Sequence, residues 1–264
     1  MSRVRQGVRF ALFQAGRGAD RVASLSHYLA AGTLRLAEMK DSIRQTWSDF
    51  YDRHPAFDAG LLPWEEDLVE RFVPAGARVL LIGCGSGRDL LAFAERGYEV
   101  TGVEPAASAL LIARRTLLER RLSATLVEGF FEDVPIPGAF DVVIFSFYCY
   151  TFIPESRRRI ESLRKAAALL KPGGHILISH ASTSVRPRRI VISLARMIGA
   201  LCGSDWRLEA GDLVWDTRAS APAYSYSHTF GSGELECEAA AASLAPVFHR
   251  QTLDNVVVAL MGRP

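Results

Sequence analysis

The run Val79-Leu80-Leu81-Ile82, followed at once by Gly83-Cys84-Gly85-Ser86-Gly87-Arg88-Asp89, constrains the fold more than any other stretch of this 264-residue chain. Consecutive aliphatic residues bounded by glycine are the pattern of a strand covered on both faces. Glycines at every second position then allow a tight turn and let backbone approach a ligand where a Cβ would collide. A helix predicted from about Asp89 to Arg96 begins where the loop ends, and its first N–H groups carry partial positive charge. Strand, glycine loop and helix in that order is the setting of a nucleotide-binding loop.

The same alternation continues along the chain. Strands are predicted at Val100–Val103, Thr125–Val127, Asp141–Phe145 and His175–Ser179. Helices are predicted at Ser108–Leu122, with Leu110, Ala113 and Leu117 as a stripe widened by Leu111 and Leu118, and at Glu155–Leu170. Lys171-Pro172-Gly173-Gly174 reads as the turn before the fifth strand. Two further runs, Pro246–Gln251 and Asn255–Met261, read as an antiparallel hairpin closing the sheet. Strands alternating with helices mean βαβ units, hence a parallel sheet with helices on both faces. Before the glycine loop, residues 1–57 form a helical extension. Leu25, Tyr28, Leu29, Leu34, Leu36 and Met39 recur at helical spacing, interrupted at Gly32, and a second helix from Asp41 to Tyr51 stops at Pro55. A third starts at Pro63. Residues 58–264 are the expected main domain. Within it, residues 181–231 differ in texture, with an amphipathic helix at Ile190–Leu201 and then a polar, aromatic stretch. Such an insertion leaves the carboxyl end of a strand, where doubly wound sheets bind ligands, so it is expected to be a substrate lid.

The loop narrows the ligand. A dinucleotide site wants G-x-G-x-x-G/A, and here Arg88 stands at the last position. The pattern present is G-x-G-x-G, and Glu104 closes the second strand, where a carboxylate can accept from ribose hydroxyls. Three motifs in order carry a family resemblance: Gly83-Cys84-Gly85-Ser86-Gly87, Val103-Glu104-Pro105, and Phe140-Asp141-Val142-Val143 with Leu169-Leu170-Lys171-Pro172-Gly173-Gly174. Together they resemble class I S-adenosylmethionine-dependent methyltransferases of small-molecule type. The resemblance implies a Rossmann-like doubly wound α/β sheet, mostly parallel with the C-terminal antiparallel hairpin. It implies S-adenosylmethionine as cofactor and S-adenosylhomocysteine as product. It also implies that Gly83, Cys84, Gly85 and Gly87 wrap the methionine and adenosyl parts and that Glu104, with Pro105, meets the ribose. Phe130 and Phe131 would then flank the adenine, and Ser146 would lie near the methionine. Trp47 and Tyr51 are the candidates for an aromatic closing over the cofactor. One departure stands out: Phe130 occupies a place where the family commonly has an acid.

The acceptor side rests on the residues themselves. Tyr148, in the aromatic stretch after the fourth strand, and Tyr224 and Tyr226, in the alternating run Tyr224-Ser225-Tyr226-Ser227-His228, are the candidate substrate contacts. A hydroxyl acceptor gains from a general base, and His180 and His228 are the candidates. The expected reaction is methyl transfer to O or N of a small aromatic or apolar metabolite. Lipid, glycan or protein acceptors, or a non-catalytic adenosyl-binding module, are the alternatives.

Composition limits the partners. The formal charge is +2, and 28 of the 31 basic residues are Arg. This balance gives no case for nucleic acid, and Ser146-Phe147-Tyr148-Cys149 lacks the prolines by which the base-methylating enzymes of this fold resemble one another. Arg157-Arg158-Arg159 reads as a solvated helix face. No metal is expected, since no carboxylate cluster is evident and Asp212 and Asp216 have no ligand spacing. Four cysteines without metal-ligand spacing suit reduced thiols in a cytoplasmic protein. No apolar run is long enough for a membrane span, and the start lacks a signal cleavage site. Residues 1–40 hold seven basic residues against two acidic. The open readings for that segment are contact with the lid, an anionic membrane or a second copy of the chain as a homodimer.

Overall fold

The computed structural model describes residues 22–54, 60–182, 187, 189–216, 224–253 and 255–262. The N-terminal expectations for residues 1–21, and Pro55, lie outside them. Seven strands form one sheet: β1 (Arg78–Ile82), β2 (Glu99–Glu104), β3 (Thr125–Glu128), β4 (Phe140–Phe145), β5 (Leu170–Ala181), β8 (Leu244–Gln251) and β9 (Asn255–Gly262), in the order β3-β2-β1-β4-β5-β9-β8. The first five run parallel, and β9 inserts antiparallel between β5 and β8. The order reverses direction between β1 and β4, which opens a crevice at the strands' carboxyl ends. The outer hairpin completes the sheet where expected. The Lys171–Gly174 turn is instead part of β5, where Gly173 has φ of +79° and the β4 pairing shifts register between Phe140 and Val142.

Helices α3 (Pro63–Phe72), α4 (Arg88–Glu95), α5 (Ala107–Arg120) and α6 (Ser156–Ala168) cover the sheet. α5 buries Leu110, Ala113 and Leu117 as its spacing requires, but Leu111 and Leu118 are exposed. On α6 the expected solvated arginine run is corrected at Arg159, which is fully buried. Its guanidinium pairs with Glu238 at 2.8 Å and Glu209 at 3.1 Å. Glu238 belongs to α8 (Glu234–Ala241), a helix the periodicity did not reveal.

The N-terminal helices and the insertion share a core. α1 spans 22–33, passing through Gly32 rather than breaking there, and α2 is Leu36–Arg53. From the insertion come α7 (Arg189–Cys202) and a two-stranded antiparallel sheet, β6 (Asp212–Asp216) with β7 (Tyr224–His228). Tyr28, Ala31, Met39 and Ile43 pack with Ile192, Ala195, Trp206, Val214 and Tyr226. This layer sits across the carboxyl edge of the main sheet. Among the described residues, no helix is long and apolar enough to cross a membrane.

Candidate active site

Glu104 ends β2 at the crevice. Its Oε2 accepts the Gly85 N–H at 3.0 Å and its Oε1 the Ala106 N–H at 2.9 Å. Burial disfavours its charge more strongly than these two donors favour it, so its pKa is pushed up to about 7. Each carboxylate oxygen accepts only one of these donors and has a second acceptor direction.

Gly85 has φ of +53°, and a Cβ there would lie 2.1 Å from the Tyr51 Oη. Close approach of α2 to the loop therefore requires glycine. Gly83 lines the cavity beside Glu104, whereas Gly87 packs against Ala113 and Cys84 turns its thiol back over Gly102. The thiol is fully buried and its pKa is driven up, so the Cys84 side chain fills space rather than presenting a nucleophile.

Two cavities meet at this loop. The first, about 120 Å³ and open at its mouth, is bounded by Trp47 and Tyr51 of α2, Gly83, Glu104 and Pro105, Phe130 and Phe131, and Ser146. Phe130 faces Lys40 and Arg44, whose cations lie 5.0 and 5.2 Å from its ring. Lys40 also pairs with Asp133 at 2.9 Å and Glu132 at 3.7 Å. The second cavity, about 970 Å³, shares Trp47, Tyr51, Gly83 and Ser146 with the first and extends under the insertion. Trp47, Phe50, Phe147, Tyr148, Phe152 and Trp215 give it aromatic walls.

Ser146 and Asp89 sit where the cavities join. The Ser146 hydroxyl donates to Asp89 Oδ2, and the Leu90 N–H donates to Oδ1 at 2.9 Å. Asp89 is buried and its pKa is raised by that burial, with Arg88 and Ser146 opposing. Arg88 itself is held by Glu65 through two contacts of 2.6 Å. Beyond Ser146, Phe147 and Tyr148 have φ of +30° and +64°. Aromatic residues in the left-handed region are rare and cluster at ligand-binding turns.

The insertion reverses part of the sequence expectation. β7 does alternate, but Tyr224 and Tyr226 line neither cavity. Tyr226 is fully buried, its hydroxyl donating to Asp212 at 2.8 Å, and Tyr224 packs against α2 through Ser42. The intervening Ser225, Ser227 and Thr229 line the second cavity. Periodicity identified two faces; only the packing of α1 and α2 decides which one turns inward.

The two histidines also separate. His180 lines neither cavity: its Nδ1 lies 3.1 Å from the Ala181 carbonyl oxygen, it packs on Phe230, and burial lowers its pKa. His228 reaches the second cavity, but Asp212 lies 2.7 Å from its Nδ1 and Glu234 3.0 Å from its Nε2. Burial alone would discharge it; the two carboxylates outweigh that and raise its pKa. An imidazolium donating from both nitrogens has no lone pair for an acceptor's proton, so the expectation of His228 as a base does not fit this geometry. Among the described residues, Glu209, Asp212 and His228 bring donor atoms within 4.8 Å of one another. Arg159 is the cation already paired with Glu209 there.

A doubly wound sheet of this order, with a glycine loop after β1 and a carboxylate ending β2, defines a Rossmann-like nucleotide-binding protein. Residues 79–174, which hold the loop, Glu104 and β4, match the family model described as a methyltransferase domain. That segment is a methyltransferase domain of the class I S-adenosylmethionine-dependent type. The chain is 36% identical over 117 residues to cypemycin N-terminal methyltransferase of Streptomyces sp, covering 44% of this chain and 45% of that one. It is 31% identical over 113 residues to ubiquinone biosynthesis O-methyltransferase of Vibrio parahaemolyticus, covering 42% and 46%. The matches thus span about half the length of these relatives. The CcbJ methyltransferase from Streptomyces caelestis shares the fold at a TM-score of 0.60 and 18% identity, over 86% of this chain and 98% of that one. Glycopeptide N-methyltransferase MtfA does so at 0.55 and 18%, over 78% and 92%.

Proposed function

We propose that the protein is an S-adenosylmethionine-dependent methyltransferase whose acceptor atom is an amine nitrogen on a bulky apolar or aromatic molecule. The observation that carries the cofactor assignment is Glu104, whose two oxygens stand at the wall of a cavity continuous with a second, larger one. The residues fit the group: a carboxylate suited to a ribose diol, a glycine loop with room for backbone contact only, and aromatic side chains at Phe130 and Tyr51. When bound, S-adenosylmethionine supplies an activated methyl group. The chain's own residues position and desolvate the reactants.

The acceptor enters the second cavity between Trp47, Phe50 and Trp215, with Tyr148 and the Ser225–Ser227 edge beside it. Its volume of about 970 Å³ lies at the upper end of the roughly 300–1,000 Å³ of a small-molecule pocket, which leaves room for a large acceptor. An amine fits better than a hydroxyl because neither His180 nor His228 offers a free nitrogen there. Asp89 supplies a counter-charge for an incoming ammonium and can draw off its proton. Of the relatives, cypemycin N-terminal methyltransferase and glycopeptide N-methyltransferase MtfA carry names of this kind, whereas ubiquinone biosynthesis O-methyltransferase is named for oxygen.

Titration calorimetry with S-adenosylhomocysteine and with NAD tests the cofactor: binding of the first and not the second is expected, and the reverse overturns the assignment. Turnover of labelled cofactor on amine-bearing peptides or glycosides, with none on the matching alcohols, tests the acceptor.

A further inference from the structure

Only three of the 31 basic residues are lysine, and two of them, Lys40 and Lys165, meet the same short turn. Residues 129–134 follow β3 and bring Phe130, Phe131 and Glu132 to the wall of the first cavity. The turn closes on itself. The Phe130 carbonyl accepts the Asp133 N–H at 2.9 Å and the Val134 N–H at 3.2 Å. Gly129, at φ of +136°, makes room for Val134, whose Cγ1 would lie 2.4 Å from a Cβ there. Three other carbonyls of the turn converge on one atom, the Nζ of Lys165 on α6. It donates closely to Phe131 and to Val134 at 2.6 Å, and reaches Glu132 at 3.5 Å.

Lysine is the residue this geometry requires. An ammonium carries three N–H donors on one atom and accepts nothing, whereas a guanidinium spreads its donors over a planar fork. Nζ also lies 4.7 Å from the centre of the Phe131 ring. Lys165 lines neither cavity, so it acts on a ligand only through the turn. From the α2 side, Lys40 holds Asp133 at 2.9 Å and stands 3.7 Å from Glu132. Among the described residues no closer side chain meets the Glu132 carboxylate, which is only 19% exposed and lines the cavity. It has acceptor capacity to spare, and a purine 6-amino group is a donor it can take. We propose that Lys165 is a positioning residue for purine recognition: it fixes the 129–134 turn so that Phe130 and Phe131 meet the ring and Glu132 accepts its amino group. The inference rests on the cofactor reading above, and it supplies an acid for the adenine edge where Phe130 has none.

Titration calorimetry with S-adenosylhomocysteine and its hypoxanthine counterpart, S-inosylhomocysteine, tests it. The second carries an oxygen where the first carries the amino group, so a carboxylate at that edge rejects it. The parent should favour S-adenosylhomocysteine by about thirtyfold or more, as when a buried acceptor loses its donor. Lys165→Met keeps the stem against Phe131 and removes the ammonium. It should weaken S-adenosylhomocysteine about tenfold and S-inosylhomocysteine by no more than about twofold, so that most of the preference is lost. A general loss of stability would weaken both ligands together and keep the ratio. Lys165→Gln, with two N–H donors in place of three, should lie between the parent and the methionine variant, and gives the same comparison should methionine not be tolerated. A parent that binds S-adenosylhomocysteine but barely discriminates, or a folded Lys165 variant that keeps the parent's ratio, would overturn the inference and leave the cofactor reading standing. A parent that binds neither ligand would overturn both.

Discussion

Glu104 is asked to do two conflicting things. The loop needs its carboxylate to hold the Gly85 and Ala106 N–H groups, and a ribose needs it ionised, yet burial holds its pKa up to about 7. Ligand hydroxyls that donate to the charged form offset that burial, so binding and ionisation are linked. The affinity for S-adenosylhomocysteine is expected to be constant above about pH 7 and to fall, by up to about tenfold per pH unit, below it. Calorimetry across that interval checks the slope. Glu104→Ala should weaken binding by about 1–3 kcal/mol, the usual loss for charge-assisted hydrogen bonds, and should flatten the pH dependence. A variant that loses affinity but keeps the slope would place the titrating group elsewhere. Glu104 was legible in the sequence because its distance from the glycine loop is fixed by one βαβ unit. Asp89 is not legible in the same way: its importance comes from Ser146, 57 residues away, and no local spacing announces such a pairing.

At the scale of elements, the sheet and its crevice could be read from continuous aliphatic runs and glycine stops, whereas the layer above it showed its helices and the alternation of β7 but not how they pack, and α8 not at all. β6, β7 and α8 are held by contacts distant in sequence, such as Tyr28 donating to the Asp212 carbonyl and Arg159 joining Glu209 to Glu238. Gly32 is the clearest case. Its low helix propensity suggests a break, but the structure uses it as the place where α1 and α7 touch. A Cβ at Gly199 would lie 2.3 Å from the Gly32 carbonyl oxygen, which is backbone and cannot rotate away. Gly199→Ala would gain about 1 kcal/mol of helix propensity but forces two packed helices apart, a change that costs about 1–3 kcal/mol. Net destabilisation is therefore expected, with α1 and α7 losing amide-exchange protection before the main sheet does. Urea unfolding with hydrogen exchange reads both. A stabilised variant would mean that the crossing relaxes freely.

For the whole molecule, Glu104, Asp89 and His228 pull stability one way with pH, against Glu234 and His180. Glu104 has a folded pKa of about 7 against an ordinary 4.5, so its contribution to the stability of the ligand-free protein is fully present below pH 4.5 and is lost as pH rises through 7. That shift corresponds to about 3 kcal/mol. Asp89, also raised by burial, acts in the same sense. His228 is raised above 6.5 by Asp212 and Glu234, so its contribution is present below 6.5 and disappears as pH climbs through its folded value. Glu234, lowered to about 2 by His228 despite its own burial, works the other way: its stabilisation is present above 4.5 and is lost only as pH falls toward 2. Together these place the ligand-free optimum in mildly acidic solution, with a decline toward neutral pH in which the crevice and the layer above it weaken together. Saturating S-adenosylhomocysteine should reverse part of that decline, because the complex keeps Glu104 ionised and binding strengthens over the same interval in which the free protein weakens. Denaturant unfolding from about pH 5 to about pH 8, with and without the ligand, would show a falling curve for the free protein and a flatter one for the complex. A ligand-free stability that rises over that range would show that Glu104 and His228 are not ionising as their burial and partners require.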